Sequence, residues 1–459
     1  MNDLVFLAAH QLTKAIRDRQ VSSQEVIEAY LSHIAQHNPR LNAIVTLDAE
    51  NAIAQSKAAD KALAQGENWG VLHGVPVTIK DTLETKGLRT TSSYPPLANY
   101  VPQQDATVVA RLRAAGAIIL GKTNTPQLAD NFQTNSPLFG RTNNPWNLEC
   151  TPGGSTGGGA SAIAAGLSPL ELGSDIGGSI RVPAHFCGIF GFKPTEHRVP
   201  TSGHIPELPG TPKTIHHLQT IGPLARSVED LRLCLSLIQD SDPAQPELIG
   251  ISTQANPAST LQSYRYSWTE GFGDIPATTE TKAALKKLAS SLADLGCSIE
   301  QHNEPPNFDS KAIRDIYLTI YNFELGLSEP ELTQTQQQQQ YANALIERDI
   351  LIANIEGFLS NSDAWLCPVV PVPAFTHRQT EEPIEVDGQK FPYWTTIGAY
   401  MTIFNLTGNP AVVLPFTQSQ EGLPIGIQIV GRRRSDMKLL EIAEKLTQAT
   451  GFFQRPPGY

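Results

Sequence analysis

Behind Ser22-Ser23-Gln24-Glu25, apolar residues recur every three or four positions, at Val26, Ile27, Tyr30, Leu31 and Ile34. That is the stripe of a helix with one buried face. Ser22 and Glu25 stand at capping-box spacing, and Asn38-Pro39 predicts the stop. A second helical pattern covers roughly 48–66. The texture then changes to short apolar runs at 75–79 and 117–120, of the kind that fills both faces of a buried strand. Between them Asp105 is placed to cap a helix that ends at Gly116. A small-residue helix over 156–166 leads into a run at 169–172, and two more β-rich runs follow at 412–415 and 425–430. A last helix starts at Ser435 as N-cap and ends at Gly451. Buried strands alternating with helices predict an α/β fold with a mixed, mostly parallel central sheet.

Two segments break the alternation. The stretch 194–222 is rich in proline and glycine and poor in apolar runs, so it reads as a long ordered loop of the sort that walls a site. The glutamine run at 336–340 reads as a solvated helix surface or mobile segment. At 459 residues the chain can bury one large core or two smaller ones. A formal charge of −11 argues against a nucleic-acid or anionic-membrane surface. The five scattered cysteines include no CxxC pair, no apolar run reaches spanning length, and the start is not basic. These features predict a soluble, cytoplasmic protein with reduced thiols.

The stretch 151–183 carries the chemistry: TPGGSTGGGASAIAAGLSPLELGSDIGGSIRVP. It holds two glycine-flanked serines, Ser155 and Ser179. Glycines let a backbone approach a ligand closely, and converging N–H groups make an anion nest, which an amide-cleaving enzyme needs where its oxyanion develops. A phosphate loop of the Walker type would end in Gly-Lys-Ser/Thr, and this one has no lysine. Lys80 follows a buried strand, where lost hydration would lower its pKa and let the neutral amine act as a base. Residue type alone favours a snorkelling strand-end lysine paired with Asp81. His73, His185, His197, His204, His216 and His217 show no convincing ligand spacing, so no metal or cofactor is expected. Gln127, Asp130 and Asn131 could line the substrate side or simply cap. Cys187 reads as a small core residue.

With these motifs in view, the chain resembles the amidase signature family. The resemblance rests on Gly153–Gly158 (GGSTGG), 173–183 (GSDIGGSIRVP) and 74–81 (GVPVTIKD). It extends through GKTNTP at 121–126, NPW at 144–146 and GFKPT at 191–195 to NLTG at 405–408 and IGIQIVG at 425–431. Thr156 and Ser174 depart from the usual pattern but keep a hydroxyl. The resemblance implies one large α/β domain with helices on both faces of its sheet. It divides as 1–66 (helical), 67–230 (catalytic core), 231–400 (variable, substrate side) and 401–459 (return to the core).

It further implies a Ser–Ser–Lys triad: Ser179 the nucleophile, Lys80 the base, and Ser155 the bridging serine on a cis peptide after Gly154. The N–H groups of Ile176, Gly177, Gly178 and Ser179 would form the oxyanion hole, with Asp175 and Arg181 a supporting pair. The implied activity is amide hydrolysis through an acyl-enzyme. Its partner would be a small-molecule amide, with no nucleic acid or membrane, and a homodimer is the candidate assembly. The alternative is the A subunit of glutamyl-tRNA amidotransferase, although 207–222 lacks that subunit's Ser-Leu-Asp-Gln-Ile-Gly pattern. Specificity is expected from 195–217 and 303–365, with Tyr317, Tyr321, Phe323, Trp365, Tyr393, Trp394 and Tyr400 hinting at an apolar acyl pocket.

Overall fold

Chain segments that are apolar on both faces have become the interior strands of one eleven-stranded sheet. The computed structural model describes residues 4–248, 259–327, 331–451 and 453–459. In chain order the strands are β1 (Ile44–Leu47), β2 (Pro76–Lys80), β3 (Ile118–Thr123), β4 (Leu170–Asp175), β5 (Phe190–Lys193) and β6 (Thr220–Ala225). They continue as β7 (Arg265–Trp268), β8 (Ser298–Gln301), β9 (Ala364–Pro368), β10 (Ala411–Gln418) and β11 (Pro424–Val430). Their spatial order is β1-β3-β2-β4-β6-β5-β10-β11-β9-β7-β8. The runs read as strands at 75–79, 117–120, 169–172, 412–415 and 425–430 became β2, β3, β4, β10 and β11.

The sheet is mixed. Parallel ladders build both wings, β3-β2-β4 and β9-β7-β8. The strands between them, from β4 to β9, pair antiparallel, as does the edge strand β1. Connection length explains the difference. A crossover containing the helix Thr107–Ala114 joins β2 to β3, whereas a tight turn joins β10 to β11 and forces a hairpin.

Helices cover both faces. Successive side chains of a strand point to opposite sides. Val412 and Leu414 of β10 accordingly pack with Leu439 and Leu440 of the helix Asp436–Thr450, while Val413 packs with Val182 and Phe186 of the helix Arg181–Cys187. A third cluster gathers Trp365, Phe404 and Ile320 under the helices Ser310–Glu324 and Gln334–Phe358.

The capping box forms as read: Ser22 Oγ accepts from Glu25 N at 3.1 Å, and Glu25 Oε2 accepts from Ser22 N at 2.8 Å. Three helix ends differ from the sequence reading. The first long helix runs through Pro39 to Leu41, because a ring in the last turn costs a helix little of its ladder. Asp105 caps nothing; it accepts from Lys86 N and pairs with Arg113, and Ala106 holds the N-cap position. Ser435 is an N-cap by position, but its hydroxyl donates backwards to Arg432 O. The glutamine run lies on the exposed first turns of Gln334–Phe358, behind a Thr333 cap. The loop after Lys193 is irregular up to Thr220, where β6 takes over its end. It is pinned at its start by Asp436, which accepts from Thr195 N, Thr195 Oγ1 and Arg198 Nη1. No described helix is long and apolar enough to cross a membrane.

Candidate active site

Because β2 and β4 run parallel as neighbours, their carboxyl ends open at one edge of the sheet. Lys80 ends β2, and Ser174-Asp175 ends β4. A turn then carries 176–180 into the helix Arg181–Cys187, while Ser155 and Thr156 precede the helix Gly157–Ala164.

Lys80 is fully buried, and its Nζ donates to Ser155 Oγ at 2.6 Å and to Ser174 Oγ at 3.0 Å. Burial pushes its pKa down to about 7, against the opposing pull of the Asp175 and Glu171 carboxylates. The alternative pairing with Asp81 does not form, since Asp81 Oδ2 accepts from Thr91 N and Thr91 Oγ1. The Gly154–Ser155 peptide is cis. A side chain at Gly154 would stand 2.5 Å from Asn131 O, so the loop has room only for glycine.

The turn after β4 is built around one carboxylate. Asp175 Oδ1 accepts from Arg181 Nη2 at 2.9 Å, from Asn405 Nδ2 at 2.8 Å and from Gly178 N at 2.8 Å; Oδ2 accepts from Arg181 Nε at 3.1 Å and Ile180 N at 3.1 Å. Burial alone would raise this acid, but the Arg181 charge and these hydrogen bonds outweigh it and hold the carboxyl well below its usual range. Gly178 therefore departs from the sequence reading: its N–H is spent on Asp175 and is not presented to a ligand. The N–H groups of Ile176, Gly177 and Ser179 donate to no acceptor among the described residues. They remain free to bind an oxyanion.

Ser179 is 5% exposed and forms the seam between two cavities. One, of about 290 Å³, is lined by Phe132, Ile176, Gly177, Tyr317, Tyr321 and Trp394. The other, of about 220 Å³, has Ser155, Ser174, His204, Gln219, Leu208 and Leu325 among its walls. Ser155 and Ser179 share this second cavity without a hydrogen bond between their hydroxyls.

The remaining candidates fall out individually. Asp130 and Asn131 line the larger cavity, with Asp130 Oδ1 accepting from Tyr321 OH and Asn131 Oδ1 from Tyr393 OH. Gln127 lies in a short 3₁₀ turn and is not part of either wall. Trp365 and Tyr400 are core residues, and Phe323 stacks on Tyr341 near the surface. Cys187 is buried, its thiol pushed well up by burial. Of the histidines, His73 and His185 bond to backbone atoms, His217 pairs with Glu324, and His204 reaches the smaller cavity.

Sequence reasoning passed over Ser174 as a Lys80 partner, Asn405 as a support of Asp175, and the pair His204 and Gln219. Ser174 carried a faint signal, a hydroxyl two residues before the glycine turn. Asn405 lies 230 residues from Asp175 in the chain, and no local pattern links them.

The sequence model of the amidase family matches residues 25–329 and 317–440. The chain belongs to the amidase signature family. Among this amidase-family chain's relatives, the A subunit of the glutamyl-tRNA(Gln) amidotransferase of Moorella thermoacetica is 33% identical over 503 aligned positions, covering 99% of each chain. The protein of that name in Alkaliphilus metalliredigens is 31% identical, covering 97% of each. Among solved structures, a 6-aminohexanoate cyclic dimer hydrolase bound to its substrate superposes with a TM-score of 0.82 at 27% identity, over 99% of both chains.

Proposed function

We propose that this chain hydrolyses a carboxamide to an acid and an amine or ammonia, using Ser179 as nucleophile and Ser155 and Lys80 as its proton relay. The observation that supports it best is the 2.6 Å contact between Ser155 Oγ and the amine of a fully buried Lys80. A lysine with a pKa of about 7 is partly neutral near neutrality and is then a base. In its neutral form Lys80 takes the Ser155 proton while Ser155 takes that of Ser179. Ser179 Oγ bonds to the amide carbon, and the negative charge on the carbonyl oxygen falls to the N–H groups of Ile176, Gly177 and Ser179. The C–N bond then breaks as Ser155 returns a proton to the leaving nitrogen, refilled from Lys80. Water, deprotonated by the same relay, cleaves the Ser179 ester. Closing the relay requires the Ser179 side chain to turn towards Ser155, since catalytic hydrogen bonds often tighten only once substrate binds.

The reading is tested with the purified chain alone, a panel of aryl, aliphatic and fatty amides, and a fluorophosphonate probe. Ser179 should carry the adduct, Ser155→Ala should slow labelling without moving it, and Ser179→Ala should abolish it. An adduct on Ser155 or Cys187 in the unmutated protein would reverse the assignment.

A second reading is favoured by the named relatives: the A subunit of a glutamyl-tRNA(Gln) amidotransferase. Against it stands the sequence before Ile221-Gly222, His217-Leu-Gln-Thr, where that protein is expected to carry Ser-Leu-Asp-Gln. Glutamine hydrolysis that appears only on adding partner subunits would establish the second reading.

A further inference from the structure

The smaller cavity at Ser179 holds two buried polar side chains that the proposed relay does not use. His204 is 3% exposed and Gln219 8%, and both line this cavity. Among the described residues, neither nitrogen of His204 and neither amide atom of Gln219 has a hydrogen-bond partner. Their backbones are nonetheless fixed: His204 bridges to Leu83, and its N–H donates to Thr201 O at 3.0 Å, while Gln219 N donates to His217 O at 2.7 Å. Gln219 stands in the wall between this cavity and a small polar cleft beside His197 and Lys213, and bonds to neither side. Buried polar groups are ordinarily satisfied, so four such atoms, on two residues that line the same cavity as Ser179, point to a ligand.

The direction of the site follows from its neighbours. Ser155 lines this cavity and not the larger one. In the proposed relay Ser155 is the group that protonates the leaving nitrogen, so the amine half of the substrate lies on this side and the acyl half lies among Phe132, Tyr317 and Trp394. Asp130 is the one charged side chain on the smaller cavity's wall among the described residues. An amine half carrying a carboxylate would meet that charge, and the wall itself holds no cation, the Lys80 amine being bonded to Ser155 and Ser174.

We propose that His204 and Gln219 form a subsite for the amine half of the substrate, binding a neutral group that both donates and accepts hydrogen bonds, namely a carboxamide. The assignment rests on the hydrolase reading for its orientation. Burial, with the Lys80 charge adding to it, lowers His204 to about 3, so the ring stays a neutral donor and acceptor at working pH. Gln219 offers the same pair of functions, and a primary carboxamide matches both.

The test is a series of amides with one common acyl group and four amine halves: glycinamide, propylamine, glycine and ethylenediamine. The glycinamide derivative should have a kcat/KM roughly tenfold above the propylamine one, the scale of one good hydrogen bond, with the glycine carboxylate lowest. Gln219→Leu and His204→Leu should each bring that ratio towards one, Gln219→Asn should restore part of it, and Gln219→Glu should shift preference to the ethylenediamine derivative. A ratio unmoved in both leucine variants, or a carboxylate or ammonium derivative favoured by the unmutated protein, overturns the proposal. Should no derivative be hydrolysed, the hydrolase reading fails while the subsite is still decided. In Ser179→Ala protein, glycinamide and not propylamine should perturb the His204 ring signals in an NMR titration, and equal or absent responses overturn it.

Discussion

A buried amine held between two hydroxyls makes a pH prediction with a definite sign. Lys80 is charged below its pKa of about 7 and neutral above it, and only the neutral form accepts a proton. The rate of amide cleavage should therefore rise with pH through an ascending limb centred near 7, well below the range of an ordinary lysine. A rate that falls from acid to alkaline would exclude Lys80 as the base. Lys80→Met should remove the limb and lower kcat by about 10²–10⁴-fold while the circular dichroism spectrum is retained. Arg181 makes the opposite kind of case, because its charge is structural. Both it and Asp175 are fully buried, so Arg181→Met leaves an uncompensated carboxylate in the interior. Urea denaturation should show a loss of about 3–5 kcal/mol, reduced to the extent that Asn405 and the turn amides still hold Asp175.

At the scale of elements, the helix Gly157–Ala164 owes its position to missing side chains. A Cβ at Gly158 would fall 2.4 Å from Asn124 N and 2.5 Å from its O, and one at Gly159 would fall 2.5–2.6 Å from the Glu171 side chain. The first obstacle is backbone and cannot swing aside, whereas the second is a side chain, although one fully buried and tied to Thr123. Gly158→Ala should therefore cost about 1–3 kcal/mol, at least as much as Gly159→Ala, despite alanine's better helix propensity. Thermal melts of the two variants check the order, and equal stability gains in both would show that propensity outweighs the contact. Displacing this helix also displaces Ser155, so activity should fall further in Gly158→Ala than stability alone explains.

Across the whole molecule, one guanidinium joins the Asp230 carboxylate in tying the catalytic layers to the chain's first turns. Arg226 donates to Ile163 O, Ser168 O, Val5 O and Leu7 O, at 2.7–2.9 Å, joining the amino-terminal segment to the helix behind Ser155. Arg226→Leu takes the donor from Ser168 O and Leu7 O, while Val5 O keeps Tyr30 OH at 2.9 Å and Ile163 O keeps Gly166 N at 3.3 Å. With about 1–3 kcal/mol for each group that water cannot reach, stability should drop by about 2–4 kcal/mol. Chemical denaturation measures it; a loss below about 1 kcal/mol would mean that water replaces the guanidinium. A second whole-molecule expectation concerns metals. The carbonyl is polarised by the amides of Ile176, Gly177 and Ser179 in the proposed mechanism, so strong chelation should leave hydrolysis intact. Activity that vanishes and returns with a divalent ion would contradict it.

Sequence by itself determined what depends on neighbours in the chain: the strands read at 75–79, 117–120 and 425–430, the Ser22 capping box, and the glycine turns around Ser155 and Ser179. It also marked Lys80, because one residue after an apolar run is a place that burial reaches. Only the tertiary structure decided which partners Lys80 takes, since Ser155 and Ser174 lie 75 and 94 residues away while Asp81 is adjacent. The same holds for Gly178, whose amide looks identical to its neighbours' until the Asp175 carboxylate folds back onto it. The antiparallel middle of the sheet, the Asn405 support and the unpaired His204 and Gln219 were not legible for one reason. Each is set by residues brought together from distant parts of the chain, where burial removes water as the default partner and geometry chooses the replacement.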